Sequence, residues 1–247
     1  MQDVIYTVLS NECITANGLI YKMRLAGDVS AITAPGQFIN IQLDGFFLRR
    51  PISVCDVREG ELTIIYKVVG QGTAAMAKLS AGAKIDTLVG LGNGYDLSCA
   101  GDRPLLAGGG VGVPPLYYLA RKLIAEGKRP IVLLGFNTAD EVFLADEFRA
   151  LGCDVQIATV DGSVGTKGFV TDLMQGLRYT HFYTCGPEPM LHAVSRVSTT
   201  SGQLSFEARM GCGFGACMGC SCKTLTGNKR ICREGPVMRK EEIIWEK

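Results

Sequence analysis

A cluster of cysteines near the C-terminus constrains this chain more than any other feature of its sequence. Cys212, Cys217 and Cys220 follow the spacing C-x4-C-x2-C, and Cys232 comes after eleven intervening residues. Glycines among them let backbone N–H groups approach the sulfurs, as four thiolates around a rhombic cluster require. Plant-type [2Fe-2S] sites begin with the same spacing. The sequence therefore predicts that these four cysteines hold a [2Fe-2S] cluster.

Two alternatives to this site stay open at the level of sequence. One is a structural zinc site with four cysteine ligands, although zinc ribbons usually offer two C-x2-C pairs and this chain has a single pair. The other is that Cys222, a spare thiol close to Cys220, replaces Cys232 as the fourth ligand. Four scattered cysteines are expected to pack as small apolar side chains: Cys13, Cys55, Cys99 and Cys153.

The composition indicates which classes of binding partner and which cell compartment to expect. Basic and acidic residues balance, 25 against 24, which gives no electrostatic reason to expect binding to nucleic acid or to an anionic membrane. The N-terminus has no basic and apolar leader, and no apolar run is long enough to cross a bilayer. Ten cysteines without an export signal favour a metal site over disulfides. We therefore expect a cytoplasmic protein that binds neither nucleic acid nor membrane.

The hydrophobic pattern divides the chain into three parts. Short β-rich runs between glycine, proline and aspartate turns predict an antiparallel β-barrel over residues 1–99, with a short helix at residues 73–79 that Thr73 caps. Strands that alternate with helices predict a doubly wound α/β domain with a parallel sheet over residues 100–202. Residues 203–247 are too few to form a core alone, so we expect the thiolates to hold this small cluster domain together.

Two glycine turns in the α/β region are predicted to bind a dinucleotide. The first, Gly108-Gly109-Gly110-Val111-Gly112, lies between a hydrophobic strand and a helix that begins at Pro114, where N–H groups can approach a pyrophosphate. The third glycine of the usual motif is replaced by Pro115. The second turn, Cys185-Gly186-Pro187, also follows a strand, which places both turns at the carboxyl edge of one sheet. Either turn alone could be an ordinary packing turn.

A third group of motifs lies in the barrel region. Arg50-Pro51-Ile52-Ser53 places a cation, a rigid backbone and a hydroxyl group close together, and Tyr66-Lys67 and Gly72-Thr73 follow. An arginine near a helix N-terminus suits a second pyrophosphate. Without the rest of the chain, Arg50 would be interpreted as a surface charge and Ser53 as a polar strand residue.

Together these motifs resemble those of the ferredoxin-NADP reductase superfamily, and within it the electron-transfer subunits of class 1B dihydroorotate dehydrogenases. The resemblance covers essentially the whole chain. It is most specific over residues 206–220 and 232–237. The wider superfamily carries an aromatic residue where this chain has Ile52, so the sequence departs there from the broad motif and matches the subfamily.

The resemblance implies three cofactors and the residues that hold them. FAD would be held by Arg50, Pro51, Ile52, Ser53, Ile65, Tyr66, Lys67, Gly72 and Thr73. NAD would be held by Gly108, Gly109, Gly110, Gly112, Pro114, Cys185, Gly186 and Pro187. Cys185 and Ser53 would be the catalytic residues. The cluster ligands would be Cys212, Cys217, Cys220 and Cys232.

By the same resemblance, the chain would pass electrons from an FMN-containing catalytic subunit through the cluster and FAD to NAD+, in pyrimidine biosynthesis and in a heterotetramer with two copies of each chain. FAD lies between the other two carriers because a flavin exchanges both hydride and single electrons. The only histidines are His181 and His192, and no acid–base pair is evident, so dihydroorotate oxidation is expected on the partner. The alternatives are a sulfide- or ferredoxin-linked NAD(P) oxidoreductase subunit and a zinc-stabilised interaction module.

The loop after the second strand of the α/β region predicts NAD rather than NADP. It carries Asn137, Asp140 and Glu141 and no cation, whereas a 2′-phosphate needs an arginine or an equivalent cation. Acidic groups there would repel the phosphate. The two acidic residues could instead serve only to favour the start of a helix.

Overall fold

The structure is a computed structural model that describes residues 1–245. The last two residues of the predicted cluster domain, 246 and 247, lie outside the described residues. Among residues 1–245, no helix combines the length and the apolar character needed to span a bilayer.

The N-terminal part of the chain forms a closed antiparallel barrel. Its strands are β1 (Gln2–Cys13), β2 (Ile20–Ala26), β3 (Phe38–Ile41), β4 (Arg50–Arg58), β5 (Glu61–Lys67) and β6 (Lys84–Leu91). They follow the order β1-β2-β5-β4-β3-β6 around the barrel. Tyr6, Met23 and Ile64 point inward and are fully buried, in keeping with the two-residue period of side chains along a strand. The predicted barrel is confirmed.

The helix within the barrel region begins earlier than the sequence predicts. Helix α1 spans Gln71–Met76 with Gly70 at its N-cap, so Thr73 is the third residue of the helix. The Thr73 hydroxyl oxygen accepts hydrogen bonds from the backbone N–H groups of Val69 at 2.9 Å and Gly70 at 3.2 Å. The prediction that Thr73 caps the helix is wrong, because its side chain reaches back to the preceding turn as the third residue of a capping box does.

The middle of the chain alternates strands with helices. Its strands are β7 (Leu105–Gly109), β8 (Ile131–Phe136), β9 (Asp154–Thr159), β10 (Thr166–Lys167), β11 (Phe182–Cys185) and β12 (Gly202–Ser205). Its helices are α2 (Pro114–Ala125), α3 (Ala145–Ala150), α4 (Val170–Leu173) and α5 (Glu188–Val197). All neighbouring strands of this set pair in parallel, which confirms the doubly wound α/β domain.

The C-terminal segment is attached to both other parts of the molecule. Its strands are β13 (Ser221–Thr224), β14 (Gly227–Arg230) and β15 (Val237–Arg239). The first two form a hairpin, and β15 pairs antiparallel with β12 to complete a seven-stranded sheet in the order β10-β9-β8-β7-β11-β12-β15. Cys220 and Cys232 share a small core with Phe38 and Leu88 of the barrel. The thiolates are therefore not the only source of cohesion that this segment has.

The ranges 1–99, 100–202 and 203–247 stay predictions as domain boundaries, and β12 (Gly202–Ser205) has residues on both sides of the second boundary.

The strand order places the two glycine turns side by side. From β7 the chain moves outward through β8 and β9, and it later returns to add β11 on the other side of β7. Ligands of open α/β sheets bind at such a reversal, outside the carboxyl ends of the strands. Gly108 at the end of β7 is the register partner of Cys185 at the end of β11. The topology therefore brings both predicted nucleotide-binding turns to one place.

Candidate functional site

Two adjoining cavities contain most of the residues predicted to bind FAD and NAD. The barrel cavity, about 350 Å³, is lined by β4, β5 and the chain that follows β12. The sheet cavity, about 520 Å³, lies at the carboxyl edge of the parallel strands. Lys67, Val111 and Glu207 line both cavities. Because the cavities share these walls, a ligand in one lies next to a ligand in the other.

The barrel cavity gathers eight of the nine residues predicted to hold FAD. They are Arg50, Pro51, Ile52, Ser53, Ile65, Tyr66, Lys67 and Thr73. The ninth, Gly72, lies against Arg50, where a Cβ atom would be 2.1 Å from the Arg50 Nε atom. The Arg50 guanidinium also lies 4.9 Å from the centre of the Phe46 ring and donates to the Leu48 carbonyl oxygen. A cation beside an apolar slot suits the phosphates and the flat ring system of FAD.

The sheet cavity contains both glycine turns. Its lining includes Gly109, Gly110, Gly112, Gly186 and Pro187. A Cβ atom on Gly112 would lie 2.3 Å from the Cys185 carbonyl oxygen, so the turns touch where only glycine fits. Helix α2 begins at Pro114, directly after the first turn, and its positive end therefore lies beside the cavity. This arrangement suits a pyrophosphate.

Three of the residues predicted to hold NAD line neither cavity. Gly108, Pro114 and Cys185 are buried behind the turns. Burial raises the pKa of the Cys185 thiol to about 12, so the thiol is protonated at neutral pH. Of the two predicted catalytic residues, Ser53 lines the barrel cavity and Cys185 supports the turn behind it. Their catalytic roles stay predictions.

Glu207 is a functional candidate that the sequence reasoning did not select. It lines both cavities and is open to them. The surrounding protein atoms desolvate its carboxyl group and raise its pKa. It is also close enough to Cys185 for its charge to raise the pKa of that thiol further. The only sequence signal was an acidic residue just before the cysteine motif.

Phe169 is a second residue that the sequence reasoning missed. It lines the sheet cavity at the start of α4, and it is 62% exposed. An exposed aromatic ring beside a cavity offers a stacking surface to a planar group. Sequence offered no signal for this role, because the proximity of Phe169 to the glycine turns arises only from the strand order.

An ion pair joins the barrel to the sheet where the two cavities meet. The Lys67 Nζ atom is 3.3 Å from Glu141 Oε1, and the Asn137 side chain donates to Glu141 Oε2 at 2.9 Å. Although partial burial opposes ionisation, the hydrogen bonds from Asn137 and the nearby ammonium group lower the pKa of Glu141. The sheet cavity therefore has a carboxylate in its wall. Asp140, by contrast, is exposed and outside the lining.

The cysteine loop is arranged to stabilise thiolates. The backbone N–H groups of Ala216 and Cys217 donate to Cys212 Sγ at 3.2 and 3.4 Å. Although burial opposes ionisation, backbone hydrogen bonds of this kind lower the pKa of the Cys212 thiol to about 6. Cys220 Sγ accepts a hydrogen bond from the Cys232 N–H group at 3.4 Å, so the distant cysteine lies beside the main motif. These residues fit a cluster held by four thiolates.

The Cys222 thiol contacts residues outside this loop. Its thiol donates to the Lys229 carbonyl oxygen at 3.6 Å and lies 4.0 Å from the Met238 sulfur. This geometry favours Cys232 as the fourth ligand. Within residues 1–245, no three Cys, His, Asp or Glu side chains are gathered closely enough to hold a single metal ion.

Two family profiles match the parts of the chain that form these sites. Residues 207–244 match the iron-sulfur cluster binding domain of dihydroorotate dehydrogenase B. Residues 106–196 match the oxidoreductase NAD-binding domain. The two matched ranges contain the cysteine loop and both glycine turns, respectively.

Curated relatives extend the similarity over nearly the full length. Dihydroorotate dehydrogenase B (NAD(+)), electron transfer subunit, from Fusobacterium nucleatum is 45% identical over 242 residues, which cover 92% of this chain and 93% of the relative. The protein of the same name from Bacillus mycoides is 42% identical over 260 aligned residues, with 99% of each chain covered.

Solved structures share the fold. The structure of an NADH-dependent reduced ferredoxin-NADP oxidoreductase, described for flavin-based electron bifurcation, has a TM-score of 0.87 and 29% identity over 97% of this chain and 90% of the other. A ferredoxin NADP+ reductase from Neisseria gonorrhoeae has a TM-score of 0.68 and 16% identity over 80% and 90%, and it shows the fold alone. The resemblance to the ferredoxin-NADP reductase superfamily is confirmed, and the chain belongs to the family of electron transfer subunits of NAD(+)-dependent dihydroorotate dehydrogenase B.

Proposed function

We propose that the barrel cavity holds FAD, that the sheet cavity holds NAD, and that electrons pass between them and a [2Fe-2S] cluster on the four loop cysteines. The observation that carries this proposal is the wall that the cavities share, formed by Lys67, Val111 and Glu207. Hydride transfer requires the reacting rings to lie in contact. Two cavities with common lining residues meet that requirement.

The flavin site is argued from the barrel cavity. FAD supplies both hydride and single-electron chemistry, which NAD and a cluster do not supply alone. Arg50 would pair with its pyrophosphate, and Ile52 and Ser53 would contact its ring system. Glu207 would hold a proton where the two cavities meet, because its raised pKa keeps the carboxyl group protonated to a higher pH than usual.

The nucleotide site is argued from the sheet cavity. The two glycine turns would bind the pyrophosphate of NAD through their backbone N–H groups, and Phe169 would stack on the adenine ring. Glu141 would accept a hydrogen bond from a ribose hydroxyl group and repel a 2′-phosphate. In the part of the chain that the structure describes, the charged residues that line this cavity are Lys67, Glu141 and Glu207. Glu141, whose lowered pKa keeps it ionised, would supply the negative charge that favours NAD over NADP.

The family name implies a catalytic partner subunit. We infer that this partner contains FMN, that it docks over the cysteine loop, and that two copies of each chain assemble in the cytoplasm. Phe214 and Met218 support the docking site, since they are 40% and 53% exposed on the same loop as the exposed Cys217. Apolar side chains that stay exposed beside a redox centre suit a protein interface.

Anaerobic co-expression with an FMN-containing dihydroorotate dehydrogenase subunit tests this function. We expect co-purification, a mass that corresponds to two copies of each chain, and reduction of NAD+ by dihydroorotate that neither chain supports alone. The double substitution Phe214→Ser and Met218→Ser should weaken the complex. The oxidation of NADH with an artificial dye that takes electrons directly from the flavin should stay unchanged. Leu225→Ser is the matched control, because Leu225 is 71% exposed on the hairpin turn of the same segment. Turnover with sulfide or ferredoxin but not with dihydroorotate would contradict the proposal.

A further inference from the structure

A buried asparagine connects the barrel to the cysteine loop. Asn40 is 1% exposed and is the polar residue of β3, whose four residues are all buried. Its Nδ2 atom donates a hydrogen bond to the Cys212 carbonyl oxygen at 3.2 Å, across 172 residues of sequence. A buried amide destabilises an apolar strand unless its hydrogen bonds compensate. The hydrogen bond to the Cys212 carbonyl oxygen therefore offsets part of the cost of burying the Asn40 amide.

The cysteine loop passes very close to the Asn40 amide. Gly213 follows Cys212 and has a φ of +78°, a conformation that favours glycine. A Cβ atom on Gly213 would lie 2.3 Å from the Asn40 Nδ2 atom. Asn40 therefore contacts a cysteine of the cluster motif and the residue after it, and it limits how far the loop can shift in either direction.

Asn40 lies next to a strand residue that lines the barrel cavity. In the register of β3 and β4, Asn40 is the partner of Pro51, which lines that cavity. Met210, two residues before Cys212, lines the same cavity. The loop thus begins at the cavity wall, and Asn40 attaches it to that wall at Cys212. This contact therefore lies between the flavin site and the cluster site.

Half of the amide is left without a partner. Among the residues described, the Asn40 Oδ1 atom accepts no hydrogen bond. Rotation of the amide by half a turn would not help, because it would place Oδ1 against the Cys212 carbonyl oxygen, and both atoms are acceptors. A buried polar atom without a partner is destabilising. An apolar residue would remove this cost, but it would also remove the hydrogen bond to the loop.

We propose that Asn40 is a positioning residue that fixes Cys212, and with it the cluster, against the wall of the flavin site, and thereby sets the rate of electron transfer between FAD and the cluster. The inference rests on the proposed function, since it takes Cys212 as a cluster ligand and the barrel cavity as the FAD site. Groups that hold the ligands of a metal centre tune both its affinity and its reduction potential.

Two variants of the holoprotein, purified anaerobically, test the inference. Asn40→Asp keeps the shape of the side chain and replaces the donor with an acceptor, and Asn40→Val removes the polar group from the strand. We expect normal FAD content and normal reduction of the flavin by NADH. We also expect altered g values and a shifted midpoint potential of the cluster. Reduction of the cluster by NADH should be about tenfold slower or more, as for the loss of a group that supports a metal ligand.

Asn93→Val is the matched control. Asn93 also attaches the barrel to the C-terminal segment, since its side chain donates to the carbonyl oxygens of Glu234 at 3.0 Å and Val237 at 2.7 Å. This control should lower stability without changing the g values or the rate of cluster reduction.

Wild-type g values, potential and rate in both Asn40 variants would overturn the inference. Loss of FAD from both variants would overturn it too, because Asn40 would then serve the folding of the barrel. A wild-type protein that lacks FAD or the cluster would refute the proposed function instead.

Discussion

The sheet cavity, called the cleft below, and the cysteine loop of the cluster segment are held in place by different kinds of contact. In the cleft, the turns after β7 and β11 are fixed by parallel strands, and they meet backbone to backbone at Gly112 and Cys185. The cluster segment also has a strand in the sheet, but its cysteine loop is held by single side chains, among them Asn40 and Arg230, whose Nη1 atom donates to the Gly215 carbonyl oxygen at 2.7 Å. A site at the ends of regular strands depends on main-chain packing, whereas a loop site depends on individual residues.

The cluster segment should show the largest effect of any single substitution. We expect Cys232→Ser to remove the normal cluster and Cys222→Ser to leave it intact, because Cys232 lies beside Cys220 and Cys222 points toward Lys229. Iron and acid-labile sulfide analysis of both variants measures this. A normal cluster in the absence of Cys232 would give the fourth position to Cys222.

The cleft should respond most to an added methyl group at the contact of its turns. Gly112→Ala would place a Cβ atom 2.3 Å from the Cys185 carbonyl oxygen. We expect a loss of roughly 1–3 kcal/mol in the free energy of unfolding, as for overpacking, together with weaker NADH binding. Urea unfolding and NADH titration measure the two effects. Gly70→Ala is the control, since no atom lies within 4 Å of its Cβ position, so it adds no overpacking and NADH binding should match that of the wild type.

The substitution Arg50→Ala tests the proposed FAD site in the barrel cavity. Loss of a charge-assisted contact to a phosphate costs on the order of 2 kcal/mol, so Arg50→Ala should release FAD and leave NADH affinity nearly unchanged. Flavin content per chain after gel filtration is the measurement. Arg58→Ala is the control, because Arg58 lies on the same strand with an exposed side chain. Full flavin occupancy in the Arg50 variant would return Arg50 to the role of a surface charge.

The preference for NADH over NADPH should change less than FAD binding does in the Arg50 variant. Glu141→Gln removes the carboxylate from the wall of the sheet cavity, and we expect the ratio of kcat/KM for NADPH to that for NADH to rise several-fold, since one contact between partly exposed charges is worth about 1 kcal/mol or less. Asp140→Asn, outside the cavity lining, should leave the ratio unchanged. A wild-type enzyme that uses NADPH as well as NADH would refute the prediction of NAD specificity.

The smallest effect concerns the pH dependence of stability. Because the folded protein raises the pKa of Glu207 through desolvation, the stability linked to its proton is present at low pH and is lost as pH rises through the raised pKa. Glu207→Gln should therefore flatten the dependence of the unfolding free energy on pH above the ordinary range of a glutamate. Unfolding midpoints at several pH values measure this. An unchanged slope in the variant would show that Glu207 is well solvated.

The same comparison explains what the sequence could and could not predict. The strands and turns of the cleft were predictable because buried β-runs such as Ile131–Phe136 and glycine turns such as residues 108–112 are local patterns with one structural meaning. The order of the strands, and with it the closeness of Lys67 to Glu141, is a long-range property that no local pattern encodes.

The contacts of the cluster segment were the least predictable. The four cysteines were visible from spacing alone, but the core that Cys220 and Cys232 share with Phe38 joins residues far apart in the chain. Asn40 and Glu207 gave almost no sequence signal, because a single polar residue in a strand has no periodicity and owes its role to what lies opposite it. Thr73 was misplaced for a related reason, since a threonine in the first turn of a helix can bond backward from inside the helix as well as cap it.

The central claim is that this single chain connects NAD to a [2Fe-2S] cluster through FAD. An anaerobic titration of the isolated holoprotein with NADH, followed by visible absorption and by electron paramagnetic resonance, tests it most directly. We predict that the flavin bleaches and that the signal of a reduced [2Fe-2S] cluster develops in the same titration, without a partner chain. Flavin that bleaches while the cluster stays oxidised, or a colourless protein that contains zinc, would contradict the account.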